Sequence, residues 1–516
     1  MALTLRVTLN YNALQQERQE PPPRMTKHDP RSLPRIACAA AALAALAPPA
    51  LAAPPPLSVP ASSEEGQAEA GGSSGFLSSL QRSNFLLGDM FGLRTLLSQH
   101  GVSFALQETG EVLGNVTGGV HRGADYDGLT QAVLQLDTQR AFGLYGGLFD
   151  VSALQIHGRN LSADNLASLQ TASGIEGDRA TRLWELWYQQ KFLEDDRLDI
   201  RIGQQSADQE FIASPNGAYF VNTMFGWPVT PSYDLPGGGP AYPLSAPAVR
   251  LRYRPINPLA ILVGVFSGSP ARTNEGDSQM ADPSGTTFPF NKGPLVFVEL
   301  QYTYPAVGSM VDPDEGSPLG RTYRLGAWYD RESFDDEGLD SSRLSLASPN
   351  SSGSPLQHQG DYSIYASADQ MVWRQADNPN RSVSVFGRVM GTPQQDRNLV
   401  DFSFNGGVVL HMPFISRPDD TAGLGGGYAH VSPAVSALDR DTVAYGLATS
   451  GSEYLPVRSS EFFVEATYQY QLRPWCQLQP DLQYTFKPGG SVQDPVDPTQ
   501  RVGNELVLGL RTNILF

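Results

Sequence analysis

The sequence predicts an all-β chain: a transmembrane antiparallel β-barrel of about 16 strands, with short N-terminal helices. Three observations point there. From Val102 onward apolar and polar residues alternate with a period of two, over roughly 400 residues. The connections between the alternating runs are in turn short and long. The chain stops on an amphipathic run whose last residue is aromatic, Phe516.

The alternation is clearest in four places. In 182–192, Trp184, Leu186, Tyr188 and Phe192 form one face and Glu185, Trp187, Gln189 and Lys191 the other. In 198–202, Leu198, Ile200 and Ile202 alternate with Asp199 and Arg201. In 249–254, Val249, Leu251 and Tyr253 alternate with Arg250, Arg252 and Arg254. At the end, Leu506, Leu508, Leu510, Thr512, Ile514 and Phe516 alternate with Glu505, Gly509, Arg511 and Asn513. Arg or Lys facing lipid at mid-membrane costs about 2–4 kcal/mol. In a spanning strand Arg250, Arg252 and Arg254 must therefore point into the lumen, as a basic ladder along the pore wall.

Connection lengths sort the two rims. Residues 193–197 form a tight turn, whereas 211–248 is a long segment rich in Gly, Pro and aromatic residues. Such asymmetry separates periplasmic turns from outer loops. Tyr219, Phe220 and Trp227 lie in the long segment. They suit an interfacial girdle or loop packing, with inward folding as the alternative.

Composition sets outer bounds. The 516 residues carry a formal net charge of −17, with 17% charged residues and a mean hydropathy of −0.27. After the leader there is no run of about 18 apolar residues, so no membrane helix is predicted. Low hydropathy also fits a secreted soluble β protein, because alternating strands average out. Six Lys/Arg and three Asp/Glu fall in residues 1–52, leaving 30 against 50, a balance of −20. That sign argues against nucleic acid as a partner.

The N-terminal region reads as export and linker. Arg31 and Arg35 precede an apolar run over 36–47, and Ala50-Leu51-Ala52 offers small residues for cleavage. Residues 1–52 are therefore read as a signal peptide, with Met25 as an alternative start. Residues 53–75 are a Pro/Ser/Gly-rich disordered linker. The match Gly71-x-Ser73-x-Gly75 to a nucleophile elbow falls in it, without the strand and helix that motif needs. Residues 76–101 carry apolar residues at helical spacing, including Phe85, Leu86, Met90, Leu93, Leu96 and Leu97, and the barrel fills 102–516. Cys38 lies in the leader, so Cys476 is the one mature cysteine and no intrachain disulfide forms.

Other chemistry is sparse. The seven histidines make no His-Glu-x-x-His pair. The acidic run Asp335-Asp336-Glu337-Gly338 reads as a solvated outer loop, with a loosely held divalent ion as the alternative. No catalytic residue, cofactor or resident metal is predicted. A barrel hydrolase would need a Ser/His pair at the lipid rim, and none stands out.

Within this frame a set of motifs resembles the carbohydrate-selective porin (OprB) family. They are Leu87-Gly88-Asp89 with Gly92-Leu93-Arg94, Gly110-Glu111, Gly118-Gly119, and Gly158-Arg159-Asn160-Leu161-Ser162. Arg182-Leu183-Trp184-Glu185-Leu186-Trp187-Tyr188 follows, then 198–211 with Gly203, Asp208 and Glu210. Last come Tyr323-Arg324-Leu325-Gly326, Ala368-Asp369-Gln370, Gln479-Pro480-Asp481-Leu482-Gln483-Tyr484 and Pro488-Gly489-Gly490. The likeness runs from about residue 86 to the end. It implies a 16-stranded outer-membrane barrel of a Gram-negative bacterium, commonly monomeric, with N-terminal helical residues near the periplasmic mouth. It also implies diffusion of glucose and related sugars through an eyelet of arginine, acidic and aromatic side chains. A terminal aromatic resembles the signal read by the barrel-assembly machinery. Two positions depart from the family pattern. Leu154-Gln155-Ile156-His157 is mostly uncharged where charged residues are usual, and Gln204 stands where a basic residue is common.

A sugar channel needs donors and acceptors that replace water, and flat faces for the apolar side of the ring. Arginine supplies five fixed donors and tryptophan a face. The lumen candidates for sugar contact are Glu185, Trp187, Arg201, Arg250, Arg252, Arg254, Arg324, Trp328 and Arg388. For each, membership of a structural ion-pair network is the competing reading. A less selective porin for small solutes or anions, and a soluble sugar-binding protein, remain as alternatives.

Overall fold

The computed structural model describes residues 84–272, 277–305, 319–445 and 454–516. The signal peptide, the linker and residues 76–83 of the helical segment lie outside the described residues.

Sixteen antiparallel strands close into one barrel, with β1 paired to both β2 and β16. They are β1 (Val102–Gly119), β2 (Gly123–Asp137), β3 (Gly147–Gly158), β4 (Ala180–Phe192), β5 (Leu198–Gln205), β6 (Ala246–Ile256), β7 (Leu259–Ser267) and β8 (Pro294–Tyr304). The second half is β9 (Arg321–Asp340), β10 (Pro355–Arg374), β11 (Ser382–Gly391), β12 (Val400–His411), β13 (Thr421–Val431), β14 (Ser460–Arg473), β15 (Cys476–Phe486) and β16 (Gly503–Leu515). Closure leaves no sheet edge, which satisfies every ladder where no water can reach.

The chain ends seal the seam. Glu111 of β1 stands opposite Arg511 of β16, and Arg511 Nε donates to Glu111 Oε2 at 2.7 Å inside the wall. Phe516 N donates to Leu106 O at 2.8 Å. Arg94, on the helix Leu93–Gln99, donates to the carbonyls of Phe104 and Phe516. That helix stops just before Gly101, where the sequence placed the end of the helical segment.

The face assignments hold on β5, β6 and β16. Ile202, Val249, Tyr253, Leu508 and Leu510 are exposed on the outer wall, while Asp199, Arg250, Glu505 and Arg511 are buried inside. This apolar exterior excludes the soluble reading, because a soluble barrel would turn these rows to water. The tight turn at 193–197 and the two-residue turns at 257–258 and 474–475 share one rim. The connections 159–179, 206–245 and 432–459 share the other. The long segment expected over 211–248 is in fact 206–245.

Three expectations are corrected. Period two is interrupted by helices in the connections, among them Leu161–Asn165, Val229–Asp234 and Pro433–Ala444. The last starts on its own local signal: Pro433 sits in its first turn and Ser432 Oγ accepts from Val435 N at 3.4 Å. Trp184 is not on the outer face. A β-bulge between Ser152/Glu185 and Ala153/Leu183 makes it an extra residue, and its ring turns inward. Phe220 and Trp227 belong neither to a girdle nor to the rim, since the long connection folds into the barrel and buries both.

That inward fold gives the barrel a core. Phe211, Trp227 and Leu235 of the connection pack on Phe266, Phe297 and Trp328 of β7–β9. Phe220 and Phe225 pack on Phe386, Val409 and Phe463 of β11, β12 and β14. The second inserted connection, 159–179, contributes Ile175. Together with Tyr242 of the long connection, it covers Leu129, Leu154, Ile156 and Trp184. The missing charges around Ile156 are thereby explained. Leu154 and Ile156 face inward but lie beneath two loops, where an apolar side chain is needed.

Candidate channel constriction

The two inserted connections are held by wall carboxylates that accept backbone N–H groups. Glu461 accepts from Leu169 and Gln170 at 2.7 and 2.8 Å. Glu465 accepts from Val221 and Asn222 at 2.7 and 3.0 Å. Glu505 accepts from Ala167 at 2.8 Å. Glu299 accepts from Ile212 N at 2.8 Å and from the Tyr365 hydroxyl at 2.7 Å. Each of the backbone bonds satisfies a loop amide that water can no longer reach.

Arg388 does the complementary task. Its guanidinium donates to the carbonyls of Ile212 and Met224, both at 2.5 Å, and of Gly226 at 2.9 Å. Arg324 lies 3.6 Å from Glu299 and 3.6 Å from Asp369, and Asp369 in turn accepts from Asn216 N at 3.0 Å. Trp328 is 1% exposed in the apolar cluster. Of the predicted lumen residues, these three sit beneath the inserted loop.

Five others gather on the opposite wall, three of them (Glu185, Trp187 and Arg201) lining a cavity and two (Arg250 and Arg252) behind it. A cavity of about 190 Å³ is lined by Gln131, Gln135, Asp150, Glu185, Trp187, Arg201 and Glu210, among others. Arg201 stacks over the Trp187 ring at 3.8 Å from its centroid. Its Nη2 reaches Gln189 Oε1 and Glu210 Oε1, each at 3.0 Å. Trp187 Nε1 donates to Glu185 Oε2 at 3.2 Å, and Glu185 Oε1 accepts from Ser206 N at 2.9 Å. Strand register produces this geometry: Arg201 stands opposite Gln189 on β4 and opposite Arg250 on β6. Gly203 permits the close approach of β5 to β4. At its φ of +138°, a Cβ would meet Leu186 O at 2.2 Å.

Arg250 is buried between Asp199 and Glu210. Burial pushes the Glu210 carboxyl up, but the facing Arg201, Arg250 and Arg252 charges outweigh it and hold the carboxyl below its usual range. Arg252 Nε pairs with Asp199 Oδ2 at 2.7 Å, yet its side chain remains 38% exposed to the lumen. Arg254 leaves this group. It donates to the carbonyls of Asp195 and Asp196 at 2.7 and 2.9 Å and braces the turn at the short-turn rim. The predicted basic ladder is therefore neutralised along its length by Asp199, Glu210 and the turn carbonyls.

Sequence reasoning missed Gln131, Gln135, Asp150 and the loop acid Glu210 as lining residues. Asp150 holds the Gln135 amide at 2.9 Å. The available signal was the inward alternation of β2 and β3, where Gln131, Val133 and Gln135 share a face. The acidic run 335–338 is not a solvated loop but part of β9, and Asp336 is buried. Asp336 accepts from Gly338 N and Leu339 N at 2.8 and 2.7 Å, and its second oxygen meets His358 Nε2 at 2.8 Å.

A closed barrel with an apolar exterior, and a loop folded inside to narrow a polar passage, is the architecture of an outer-membrane diffusion channel. The chain belongs to the carbohydrate-selective porin, OprB family, whose model matches residues 121–516. It is 27% identical over 451 residues to Porin B of Pseudomonas aeruginosa, covering 84% of this chain and 92% of that one. It is 23% identical over 431 residues to the putative porin QuiX of Acinetobacter baylyi, covering 80% and 90%. The high-pH structure of Pseudomonas putida OprB matches with a TM-score of 0.71 at 25% identity, covering 84% of this chain and 99% of that one. The protein is a sugar-selective channel of the Gram-negative outer membrane.

Proposed function

We propose that the channel passes monosaccharides such as glucose, and that the Trp187–Arg201 cavity is where the sugar is contacted. One observation carries this reading: an aromatic ring, a guanidinium and several amide and carboxylate groups converge on one lumen cavity. A pyranose presents hydroxyls at its rim and C–H groups on its face, so it needs both kinds of partner. At about 190 Å³ the cavity falls below the roughly 300 Å³ where drug-sized ligand sites begin. That scale suits one sugar ring. Contacts have to stay weak, since a tightly held solute blocks flux. Arg201, Arg250 and Arg252 face Asp199, Glu185, Glu210 and Asp150, so the passage has no excess positive charge with which to favour anions.

The test is a planar bilayer carrying the purified protein. Ion current through open channels should fall in a saturable way as glucose is added. Current indifferent to every mono- and disaccharide would remove the sugar contact at this cavity. We propose further that residues 1–52 are removed on export, that 53–75 are a linker, and that the assembly machinery reads Phe516. N-terminal sequencing of the membrane-inserted protein tests the first point.

A further inference from the structure

The β9–β10 hairpin rises past its neighbours at the long-connection rim. β8 pairs with β9 only as far as Asp330, and β11 with β10 only as far as Ile364. Beyond those points the two strands form a ribbon above the closed wall, in which His358 stands opposite Phe334 and Gln357 opposite Asp335. The connection between β11 and β12, residues 392–399, folds back onto this ribbon. Glu337 N donates to Asp396 O at 2.8 Å, and Arg397 Nη1 donates to Gly360 O at 2.6 Å. Three segments distant in sequence are thereby fixed against one another.

Each segment brings one ligand atom to the junction. His358 Nε2 lies 2.8 Å from Asp336 Oδ2 and 3.6 Å from Asp396 Oδ2, and the three groups' ligand atoms fall within 4.8 Å of one another. Two zinc–ligand bonds of about 2.0–2.1 Å at a tetrahedral angle hold their ligand atoms about 3.4 Å apart. An ion therefore fits among the three after small side-chain shifts. Hydrogen bonding accounts for only part of the arrangement. A ring nitrogen carries one proton, which the contact with Asp336 uses, and 3.6 Å to Asp396 is too long for a second bond. Both carboxylates are oriented from behind. Asp336 Oδ1 accepts from Gly338 N and Leu339 N at 2.8 and 2.7 Å. Asp396 Oδ1 accepts from Arg397 Nε at 2.8 Å, while Arg397 Nη2 approaches Oδ2 only to 3.3 Å. Each carboxylate so turns an oxygen toward the imidazole, as neighbouring groups do for metal ligands. Asp336 is buried, whereas Asp396 keeps the junction open to solvent on one side.

We infer that Asp336, His358 and Asp396 bind one divalent transition-metal ion of the zinc class at the outer rim. The donor set decides the class. One imidazole nitrogen with two carboxylate oxygens suits Zn²⁺ and its first-row neighbours, whereas Ca²⁺ and Mg²⁺ prefer shells of oxygen alone. Three protein ligands leave one tetrahedral position for water. The ion ties the β9–β10 ribbon to the 392–399 connection. That connection runs into Leu399 and Val400, which pack in the cluster that holds Phe220 and Phe225 of the inserted loop. The site thus anchors the part of the wall on which that loop rests. Spacing in the sequence could not reveal it, because the ligands come from three segments and only Asp336 lies in the acidic run.

The test titrates untagged, chelator-treated protein in mild detergent with Zn²⁺, followed by calorimetry, and with Co²⁺, followed by visible absorption. One ion should bind per chain with micromolar or tighter affinity. Zn²⁺ should also raise the midpoint of the heat-induced gel shift, because it binds the folded state alone. His358→Ala and Asp396→Asn should each weaken binding by about tenfold or more, and should remove the Co²⁺ absorption. Both variants should still shift on heating as a folded barrel does. His430→Ala, which removes a histidine paired with Asp401 away from the junction, should bind as the wild type does. Absence of saturable binding at millimolar Zn²⁺ overturns the inference. So does binding that His358→Ala and Asp396→Asn leave unchanged, and so does Ca²⁺ displacing Zn²⁺ at equal concentration.

Discussion

The guanidinium of Arg201 lies 3.8 Å from the centroid of the Trp187 ring and 3.0 Å from Glu210 Oε1. Arg201 covers one face of the indole and is fixed on its other side by a loop carboxylate, so ring, cation and inserted loop form one unit. Stacking of this kind is worth about 0.5–2 kcal/mol. Trp187→Ala should therefore weaken glucose block of the current by about threefold to tenfold and raise the conductance of the open channel. Arg201→Lys should lose most of the same block, because an ammonium cannot stack on Trp187 while reaching Gln189 and Glu210 together. Titrating glucose against current in planar bilayers measures both variants.

Arg388 makes a different prediction although the sequence placed it in the same class. It satisfies three loop carbonyls and makes no part of the cavity lining. Arg388→Met should take the donor from the Ile212 and Gly226 carbonyls, while Met224 O keeps Asn405 Nδ2 at 2.8 Å, and destabilise the inserted loop by about 2 kcal/mol or more. Single-channel recordings should then show larger and noisier conductance, and the heat-induced gel shift should move to lower temperature. Unchanged conductance in Arg388→Met would mean that the loop is held without it.

The difference between Arg201 and Arg388 marks what could be read from the sequence. Alternation told inside from outside, and it did so correctly for Arg201, Arg250, Trp328 and Arg388 alike. It could not tell which inward residues a loop would cover, because loop insertion depends on contacts between residues more than a hundred positions apart, such as Glu465 with Val221. The bulge at Trp184 was hidden for a related reason. One extra residue reverses the alternation locally, and the residues that call for it, Ile175 and Tyr242, belong to the inserted loops.

Glu176 predicts a pH response. It sits in the inserted connection 159–179, where Oε1 accepts from Ser162 N at 3.0 Å. Burial, reinforced by the charges of Glu111 and Asp125, pushes its carboxyl from 4.5 up to about 8. The folded protein thus keeps this proton to a higher pH than the unfolded chain does. The contribution to stability is complete below about pH 4.5 and is lost as the pH rises toward 8. Melting followed by the heat-induced gel shift should give a lower midpoint at pH 8 than at pH 5. Glu176→Gln should flatten that difference while leaving the melting point at pH 5 nearly unchanged.

Gln204 yields the last prediction, at a position where the family more often has a basic residue. Its Nε2 lies 2.9 Å from Leu183 O and 3.0 Å from Trp184 O, the two carbonyls of the bulge, and 2.8 Å from both Ser245 Oγ and Gly285 O. The amide therefore ties the bulge of β4 to the end of the long connection and to the 268–293 loop. Removing it leaves buried carbonyls without a donor, at about 1–3 kcal/mol. Gln204→Leu should lower the heat-shift midpoint by several degrees and move Trp184 emission to the red, since Trp184 turns inward only while the bulge holds. Gln204→Arg tests the geometry more sharply. If the bulge needs only a donor at this position, the arginine restores both stability and emission. If the buried space between Leu183 and Ser245 is too small for a guanidinium, Gln204→Arg should be less stable than Gln204→Leu. The exposure of Gln204, 8%, argues for that second order.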